Sequence, residues 1–275
     1  MGPAQLAEVL RALPRSSDPN LLVGIENSDD AGVFRLSEHQ ALVQTIDFFT
    51  PVVDDPYDYG RIAAANSLSD VYAMGGKPVT VLNVCCFDPE SQPAEVWAKI
   101  LEGMRDKTLE AGAAIAGGHT VENDQPLFGL SVTGLIDPAT VFRNDQAEVG
   151  DDVYLSKPLG TGIVNTAVKF ELCTEEEMRA AVDAMSTLNA AAAEAAHKAG
   201  VKCATDVTGF GLAGHLFNIA RASNVGIEIE ASSLPTLPGV ERLVALHAIA
   251  GGANKTRVYL GDALVFSDGV PKWIE

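Results

Sequence analysis

Four aspartates, each in a separate polar or glycine-containing stretch, are the residues of this 275-residue chain best suited to chemistry. They are Asp30, Asp47, Asp70 and Asp206. Carboxylates that gather with few basic residues nearby repel one another unless cations lie among them. Mg2+ prefers oxygen ligands and substrate phosphates. The four aspartates therefore point toward Mg2+ and phosphoryl transfer, in which the protein contributes positioning and charge neutralisation.

Each acidic motif also has a simpler structural interpretation. Asp70 lies in the last turn of a helix predicted over Tyr57–Met74, where the negative end of the helix dipole disfavours a carboxylate. A bound cation explains this placement better than an ordinary solvated face. Asp47 follows an apolar strand, and a charge buried there requires a metal ion or hydrogen-bond partners. The stretch Asn27-Ser28-Asp29-Asp30 is also typical of a turn whose side chains bond to their own backbone.

Two glycine-rich motifs could approach a phosphate or a base. Ala116-Gly117-Gly118 follows an alanine-rich strand, and its backbone N–H groups could reach a phosphate or a purine ring, although a tight turn is an equally common use. Gly209–Gly214 fits the dinucleotide pattern G-x-G-x-x-G. Asp206 and Thr208 stand just before its first glycine, where a Rossmann strand should be apolar. A nicotinamide enzyme is therefore the least favoured function.

The composition excludes several classes of protein. The formal net charge of −18 argues against nucleic acids and anionic membranes as partners, because both require a basic surface. No apolar run approaches the length of a bilayer span, and no N-terminal signal sequence is recognisable. The four cysteines have no metal-type spacing, which indicates reduced thiols and a cytoplasmic protein.

Strand and helix periodicities alternate along the chain, which predicts an α/β protein. A change of pattern near Asp137–Gly150 predicts two domains, at residues 1–140 and 141–275. The predicted strands are Val33–Leu36, Ala41–Ile46, Val79–Phe87, Val132–Ile136, Val153–Ser156, Val201–Thr205 and Ile227–Glu230. The predicted helices are Gln5–Ala12, Tyr57–Met74, one from Pro93 to Gly112, one from a Thr174/Glu177 capping box toward Gly200, and Leu212–Ala222.

Several stretches together resemble the selenophosphate synthetases (selenide, water dikinases). The stretches are Asp18–Gly24, Thr45–Pro56, Gly60–Pro78, Ala116–Thr120, Phe128–Gly134 and Thr205–Leu216. The likeness covers roughly residues 18–252, and the block from Asp47 to Pro78 is its most specific part. Aminoimidazole ribonucleotide synthetase and thiamine-monophosphate kinase share the aspartate pattern but not the amino-acid sequence of that block.

The resemblance implies a two-domain fold like that of aminoimidazole ribonucleotide synthetase, a homodimer, and ATP and selenide as substrates. It implies that ATP, selenide and water yield selenophosphate, AMP and orthophosphate. The implied Mg2+ ligands are Asp30, Asp47, Asp70 and Asp206. The implied ATP-binding residues are Asn27, Ser28, Asp29, Asp47, Asn66, Asp70, Ala116, Gly117 and Gly118.

The chain also departs from the family pattern. The family carries a cysteine or selenocysteine followed closely by a lysine ahead of its first helix, and neither residue is present, so no catalytic residue is assigned. Cys85 and Cys86 lie in a predicted strand and are poor substitutes. The sequence also diverges from the family pattern after about Gly252, so we expect a chain shortened at both ends with an incomplete second domain. The alternatives are a non-catalytic nucleotide-binding paralogue or fragment, and a related kinase of another small metabolite.

Overall fold

A computed structural model describes residues 17–274, which form two compact units. The first unit contains residues 17–143 and 185–206, and the second contains residues 144–184 and 207–274. The first unit therefore includes a segment from the second half of the sequence. The predicted helix at Gln5–Ala12 lies outside the described residues. Within residues 17–274, no helix is both long and apolar enough to cross a membrane.

A six-stranded sheet forms the centre of the first unit. Its strands are β1 (Leu21–Val23), β2 (Gly32–Arg35), β3 (Ala41–Phe49), β4 (Lys77–Cys86), β5 (Ala114–Val121) and β6 (Leu127–Ile136). The strand order is β1-β2-β3-β6-β4-β5, and every neighbouring pair is antiparallel except β4 with β5. The four strands predicted in this region are confirmed, with ends that differ by a few residues.

Helices connect and cover the strands. The helices of the described residues are α1 (Pro56–Ala73), α2 (Ala94–Glu110), α3 (Thr161–Lys169), α4 (Glu175–Ser186), α5 (Ala190–Ala199), α6 (Gly211–Ser223), α7 (Val240–Ala245) and α8 (Gly251–Leu260). α1 begins after Asp55, whose Oδ1 accepts a hydrogen bond from the backbone N–H of Asp58 (2.8 Å). It stops before Gly75, whose φ of +78° favours glycine. α1 and α2 pack closely, since a Cβ on Gly60 would lie only 2.0 Å from the carbonyl oxygen of Ile100.

The sheet has one core face and one exposed face. Ala41 and Val43 of β3 and Leu130 of β6 are completely buried beneath α1. The opposite face, called the outer face below, carries exposed apolar side chains: Ile46, Phe48, Leu82 and Val121. Register places them on one side, because Ile46 pairs with Ser131 of β6, which in turn pairs with Leu82. Contiguous exposed apolar surface of this kind is typical of interaction sites.

The capping box predicted from Thr174 and Glu177 is confirmed. The Thr174 N–H donates to Glu177 Oε2 (2.9 Å), and the Glu177 N–H donates to Thr174 Oγ1 (3.2 Å). The prediction of one helix running to Gly200 is wrong, because α4 ends at Ser186 and α5 is a separate helix. The chain leaves the helix between them, where Leu188 packs against the hydrophobic core of the first unit.

Three strands predicted in the second half of the chain are wrong. Val153–Ser156, Val201–Thr205 and Ile227–Glu230 form no β-ladder in the described structure. Apolar and β-branched residues favour extended backbone, but a strand also requires a hydrogen-bonded neighbour. Within the first unit, for example, the carbonyl oxygen of Lys202 accepts from the backbone N–H of Arg143 (2.9 Å) and pairs with no strand.

Candidate metal and nucleotide site

β3 and α1 together position the first two carboxylates. Residues alternate across β3, so Thr45 and Asp47 follow Ala41 and Val43 on the face covered by α1. The Asn66 side-chain amide of α1 donates a hydrogen bond to Asp47 Oδ2. Thr45 Oγ1 donates to Asp70 Oδ2 in the last turn of α1 (2.5 Å). The strand and the helix therefore orient each other's carboxylates.

The backbone at Asp47 is held on two sides. Ser67 Oγ accepts a hydrogen bond from the Leu130 N–H (3.0 Å) and lies 2.9 Å from the Asp47 carbonyl oxygen. On the other side, β6 approaches so closely that a Cβ on Gly129 would lie 1.9 Å from the same carbonyl oxygen. Ser67 is completely buried. These contacts give Asp47 a well-defined position relative to α1.

The remaining two carboxylates come from loops of the first unit. Ser69 Oγ of α1 donates to Asp206 Oδ2 (2.6 Å). Thr205 Oγ1, next to Asp206 in the chain, donates to Asp30 Oδ1 (2.9 Å). Carboxylate oxygens of Asp30 and Asp206 lie within 4.8 Å of each other. Asp30 Oδ2 is buried and has no hydrogen-bond partner among residues 17–274.

Each of the four carboxylates thus receives a hydrogen bond from a neutral side chain on another part of the chain. The donors are Thr205 for Asp30, Asn66 for Asp47, Thr45 for Asp70 and Ser69 for Asp206. In the described part of the chain, no lysine or arginine forms an ion pair with any of the four carboxylates. Neutral donors orient a carboxylate without cancelling its charge, so the group keeps its attraction for cations.

Burial and mutual repulsion raise the pKa values of three of these carboxyls. For Asp70, burial is the main cause and the charge of Asp206 adds to it, which together raise the pKa to about 8 although the Thr45 hydrogen bond opposes the change. The pKa of Asp30 is raised well above its usual range by burial first and then by the charges of Asp206 and Asp70. Burial also raises the pKa of Asp47, against the hydrogen bond from Asn66. Cations bound here would reverse these shifts.

The donor set fits Mg2+. Hard divalent cations take carboxylate oxygens, and the group offers several oxygens that no protein donor occupies. The buried, unpartnered Oδ2 of Asp30 is the clearest sign, since an isolated buried carboxylate oxygen is otherwise costly. The structure therefore brings all four predicted metal ligands into one unit, and each accepts a hydrogen bond from its own neutral donor.

The predicted nucleotide-binding residues lie in two places. Asn27, Ser28 and Asp29 occupy the loop between β1 and β2, directly before Asp30, and Ser28 has a φ of +56°. Ala116-Gly117-Gly118 does not form the loop or tight turn expected after a strand, because it lies within edge strand β5 at an irregularity in the pairing with β4. β5 is separated from β3 by two strands, which places this motif three strand spacings, about 14 Å, from the strand of Asp47.

The dinucleotide pattern lacks its structural context. Gly211 opens α6, but the residues before Gly209 form no strand. In the same turn the Thr208 N–H donates to His215 Nε2 (3.1 Å), so the backbone there is engaged by a side chain. A Rossmann fingerprint requires a strand leading into the glycine turn. The motif is therefore a helix start in this protein.

Thr45, Ser69 and Thr205 are the site residues without a role in the sequence interpretation. A signal was present, since each hydroxyl lies within two residues of a predicted ligand. Each of them nevertheless bonds a carboxylate other than the one nearest in sequence. Only the fold can show that exchange.

Two family models match the chain. Residues 28–136 match AIR synthase related protein, N-terminal domain, and residues 148–260 match AIR synthase related protein, C-terminal domain. A selenide, water dikinase of Caldanaerobacter subterraneus subsp. tengcongensis is 49% identical over 260 residues, covering 94% of this chain and 75% of the relative. One from Citrifermentans bemidjiense is 47% identical over 271 residues, covering 98% and 79%. One from Clostridioides difficile is 45% identical over 261 residues, covering 94% and 75%.

Solved structures show a similar fold at low identity. AaThiL complexed with AMPPCP and TMP has a TM-score of 0.73 at 19% identity, covering 92% of this chain and 83% of that one. Hydrogenase maturation protein HypE in complex with ATP has a TM-score of 0.67 at 20% identity, covering 85% and 69%. These neighbours confirm the predicted two-domain α/β fold.

Proposed function

The chain belongs to the selenide, water dikinase family, and from that premise we propose that it phosphorylates selenide with ATP. One phosphoryl group goes to selenide and one to water, so that ATP yields selenophosphate, orthophosphate and AMP. The observation that carries the proposal is the group of four hydrogen-bonded aspartates without a basic partner among the described residues. Such a site suits a substrate that arrives with divalent cations, as a nucleoside triphosphate does.

Asp30, Asp47, Asp70 and Asp206 hold Mg2+ in this proposal. Bound Mg2+ would neutralise charge on the triphosphate and polarise the phosphoryl groups that are transferred. The protein's own contribution is positioning. Thr45, Asn66, Ser69 and Thr205 each hold one carboxylate oxygen, which limits the rotation of the acid and leaves its charge in place.

The proposed contacts to the triphosphate end of ATP are Asn27, Ser28, Asp29, Asn66, Asp47 and Asp70. Their support is the loop position directly before Asp30 and the hydrogen bond from Asn66 to Asp47. Ala116, Gly117 and Gly118 are proposed to contact a more distant part of the nucleotide. The irregular pairing of β5 supports this role, because it exposes backbone that a regular ladder would occupy.

No described cysteine is proposed as a catalytic nucleophile. Cys85 is buried, and burial followed by the neighbouring Cys86 raises the pKa of its thiol to about 11. A thiol with such a pKa stays protonated near neutral pH and is a weak nucleophile. All four cysteines are free thiols, which supports the cytoplasm as the proposed location.

The proposed assembly is a homodimer joined through the outer face of the sheet. Its support is the row of exposed apolar side chains that includes Ile46 and Leu82. Leu82→Glu would place a charge in that interface, and sedimentation should then show monomers. Leu109→Glu, at another exposed leucine of the same unit, is the control and should stay dimeric. A dimer that survives Leu82→Glu would contradict this interface.

Phosphorus NMR of the protein with ATP, Mg2+ and selenide tests the reaction, with a sample lacking selenide as control. We expect AMP, orthophosphate and a selenophosphate signal that requires selenide. Asp70→Asn should abolish that signal. ATP that stays intact, while Mg2+-dependent ATP binding is still measurable, would contradict the reaction and leave a nucleotide-binding protein.

A further inference from the structure

Two neutral side chains form a hydrogen-bonded chain that ends on Asp206. Asn189 Nδ2 donates to Ser69 Oγ (2.8 Å), and Ser69 Oγ donates to Asp206 Oδ2 (2.6 Å). All three residues belong to the first unit. Ser69 is buried, with only 6% of its surface exposed, so water does not readily replace either bond. These two hydrogen bonds connect the start of α5, the last part of α1 and the loop that carries Asp206.

Asn189 occupies a position where its side chain would ordinarily serve its own helix. It stands at the N-cap of α5, and asparagine is favoured there because its side-chain oxygen accepts a backbone N–H of the first turn. No side-chain capping bond is formed by Asn189 in this structure. Its amide is directed to Ser69 instead. The helix start therefore lacks a usual stabilising contact, and the contact to Ser69 takes its place.

The amide also determines what the serine hydroxyl can do. A hydroxyl has one proton to donate, and the Asn189 N–H occupies an acceptor position on Ser69 Oγ. The Ser69 proton is therefore directed to Asp206. Another buried hydroxyl in a helix of this unit behaves differently: Thr108 Oγ1 donates to the Met104 carbonyl (2.9 Å) one turn back in its own helix. Such a bond back to the helix is the common arrangement for serine and threonine.

We propose that Asn189 and Ser69 are a positioning pair that fixes the orientation of the Asp206 carboxylate for a divalent cation. The inference rests on the cation site proposed above and adds two residues that do not contact the cation. The pair holds Asp206 Oδ2 and leaves the other oxygen for the ion. Both residues are neutral, so they orient Asp206 without competing electrostatically with the cation.

Titration of the protein with Mn2+, with free Mn2+ followed by EPR and no nucleotide present, tests the proposal. Ser69→Ala and Asn189→Ala should each weaken Mn2+ binding by roughly 10-fold or more, the usual effect of losing an outer contact to a metal ligand. The EPR spectrum of bound Mn2+ should also change at saturation, because the ligand arrangement differs. Thr108→Val is the control: it removes another buried helical hydroxyl, which bonds only to the Met104 carbonyl in its helix (2.9 Å), and should bind Mn2+ as the wild type does.

The double variant separates a connected pair from two independent contacts. If Asn189 acts through Ser69, then Ser69→Ala with Asn189→Ala should weaken binding no more than the larger single change. If the loss of affinity in the double variant equals the product of the two single losses, Asn189 does not act through Ser69 and the positioning pair is overturned. Unchanged Mn2+ affinity in both single variants would overturn it as well. Asn189→Ala decides the question if Ser69→Ala fails to fold, as judged by its thermal unfolding in EDTA.

A variant of the ligand itself distinguishes this inference from the proposed function. Asp206→Asn should weaken Mn2+ binding if the cation site is correct. No Mn2+ binding by the wild type, or full binding by Asp206→Asn, would refute the cation site. Weak binding by Asp206→Asn together with wild-type binding by Ser69→Ala and Asn189→Ala would refute only the positioning pair.

Discussion

Asp70→Asn should make the metal-free protein more stable, and increasingly so as the pH rises. The pKa of Asp70 is raised in the folded protein from its ordinary value of 3.8 to about 8, mainly by burial. Between these values the folded protein keeps a proton on Asp70 that the unfolded chain has lost. Unfolding then releases a proton, so the free energy of unfolding falls as pH rises, by about 1.4 kcal/mol per pH unit.

The magnitude follows from that slope. Between about pH 5 and pH 7 the wild type should lose roughly 3 kcal/mol of stability through Asp70, and Asp70→Asn should not. For a folded unit of this size, the difference corresponds to roughly 6–12 °C in Tm.

The assay is thermal unfolding of both proteins in EDTA over this pH range, followed by circular dichroism. The Tm difference between Asp70→Asn and the wild type should widen steadily with pH. Added Mg2+ should reverse the order at the higher pH, because the wild type gains binding energy that the variant lacks. If Tm falls equally with pH in the two proteins, the claim that buried Asp70 holds a proton in the folded state is refuted.

Other substitutions test the packing around the site and in the second unit. Gly129→Ala should lower the free energy of unfolding in urea by about 3 kcal/mol, because its Cβ would lie 1.9 Å from the Asp47 carbonyl oxygen. Gly32→Ala, in another strand, is the control, because its Cβ would lie no closer than 3.8 Å to any neighbouring atom. Equal losses of stability in the two variants would contradict the close approach at Gly129. Glu177→Ala should lower the free energy of unfolding by about 2 kcal/mol, because it removes the capping bond and both contacts to Arg242 (2.7 and 2.8 Å). Calorimetry measures the change, and an unchanged unfolding transition would contradict a stabilising role for Glu177. The Arg242 hydrogen bonds lower the pKa of Glu177, so the stability from this pair is present above the ordinary carboxyl pKa and lost in acid; Glu177→Gln should flatten that acid dependence in the same calorimetric scans.

Asp70 and Asp47 could be singled out as candidate ligands from a local signal, whereas the metal role of Asp30 and Asp206 follows from the family resemblance. Asp70 at a helix C-terminus and Asp47 after an apolar run are both unfavourable positions for an unpaired charge. Their hydrogen-bond donors lie close in sequence to other ligands, but nothing in the sequence shows which carboxylate each donor bonds. Thr45 is 25 residues from Asp70, and Thr205 is 175 residues from Asp30, so only the folded chain defines these pairs.

Four predicted strands are confirmed because partner strands exist for them, and three without partners are wrong; β1 pairs with β2 but was not predicted. Ala41–Phe49 and Leu127–Ile136 pair along their whole lengths, and their alternation of buried and exposed residues is visible in the sequence. Val153–Ser156 and Ile227–Glu230 carry similar apolar residues but form no ladder in the described structure. Extended preference is a local property, whereas pairing depends on what lies alongside.

The return of residues 185–206 to the first unit has a consequence for the order of folding. Asp206 and α5 complete a unit whose sheet is formed by residues before 143. During synthesis the sheet and its two helices can form first, while the last carboxylate is still missing. Contacts between residues so far apart in the chain form slowly, because a long loop must close before they are made. In the proposed site, cation binding would therefore report that the chain has been made beyond Asp206 and that this late segment has docked.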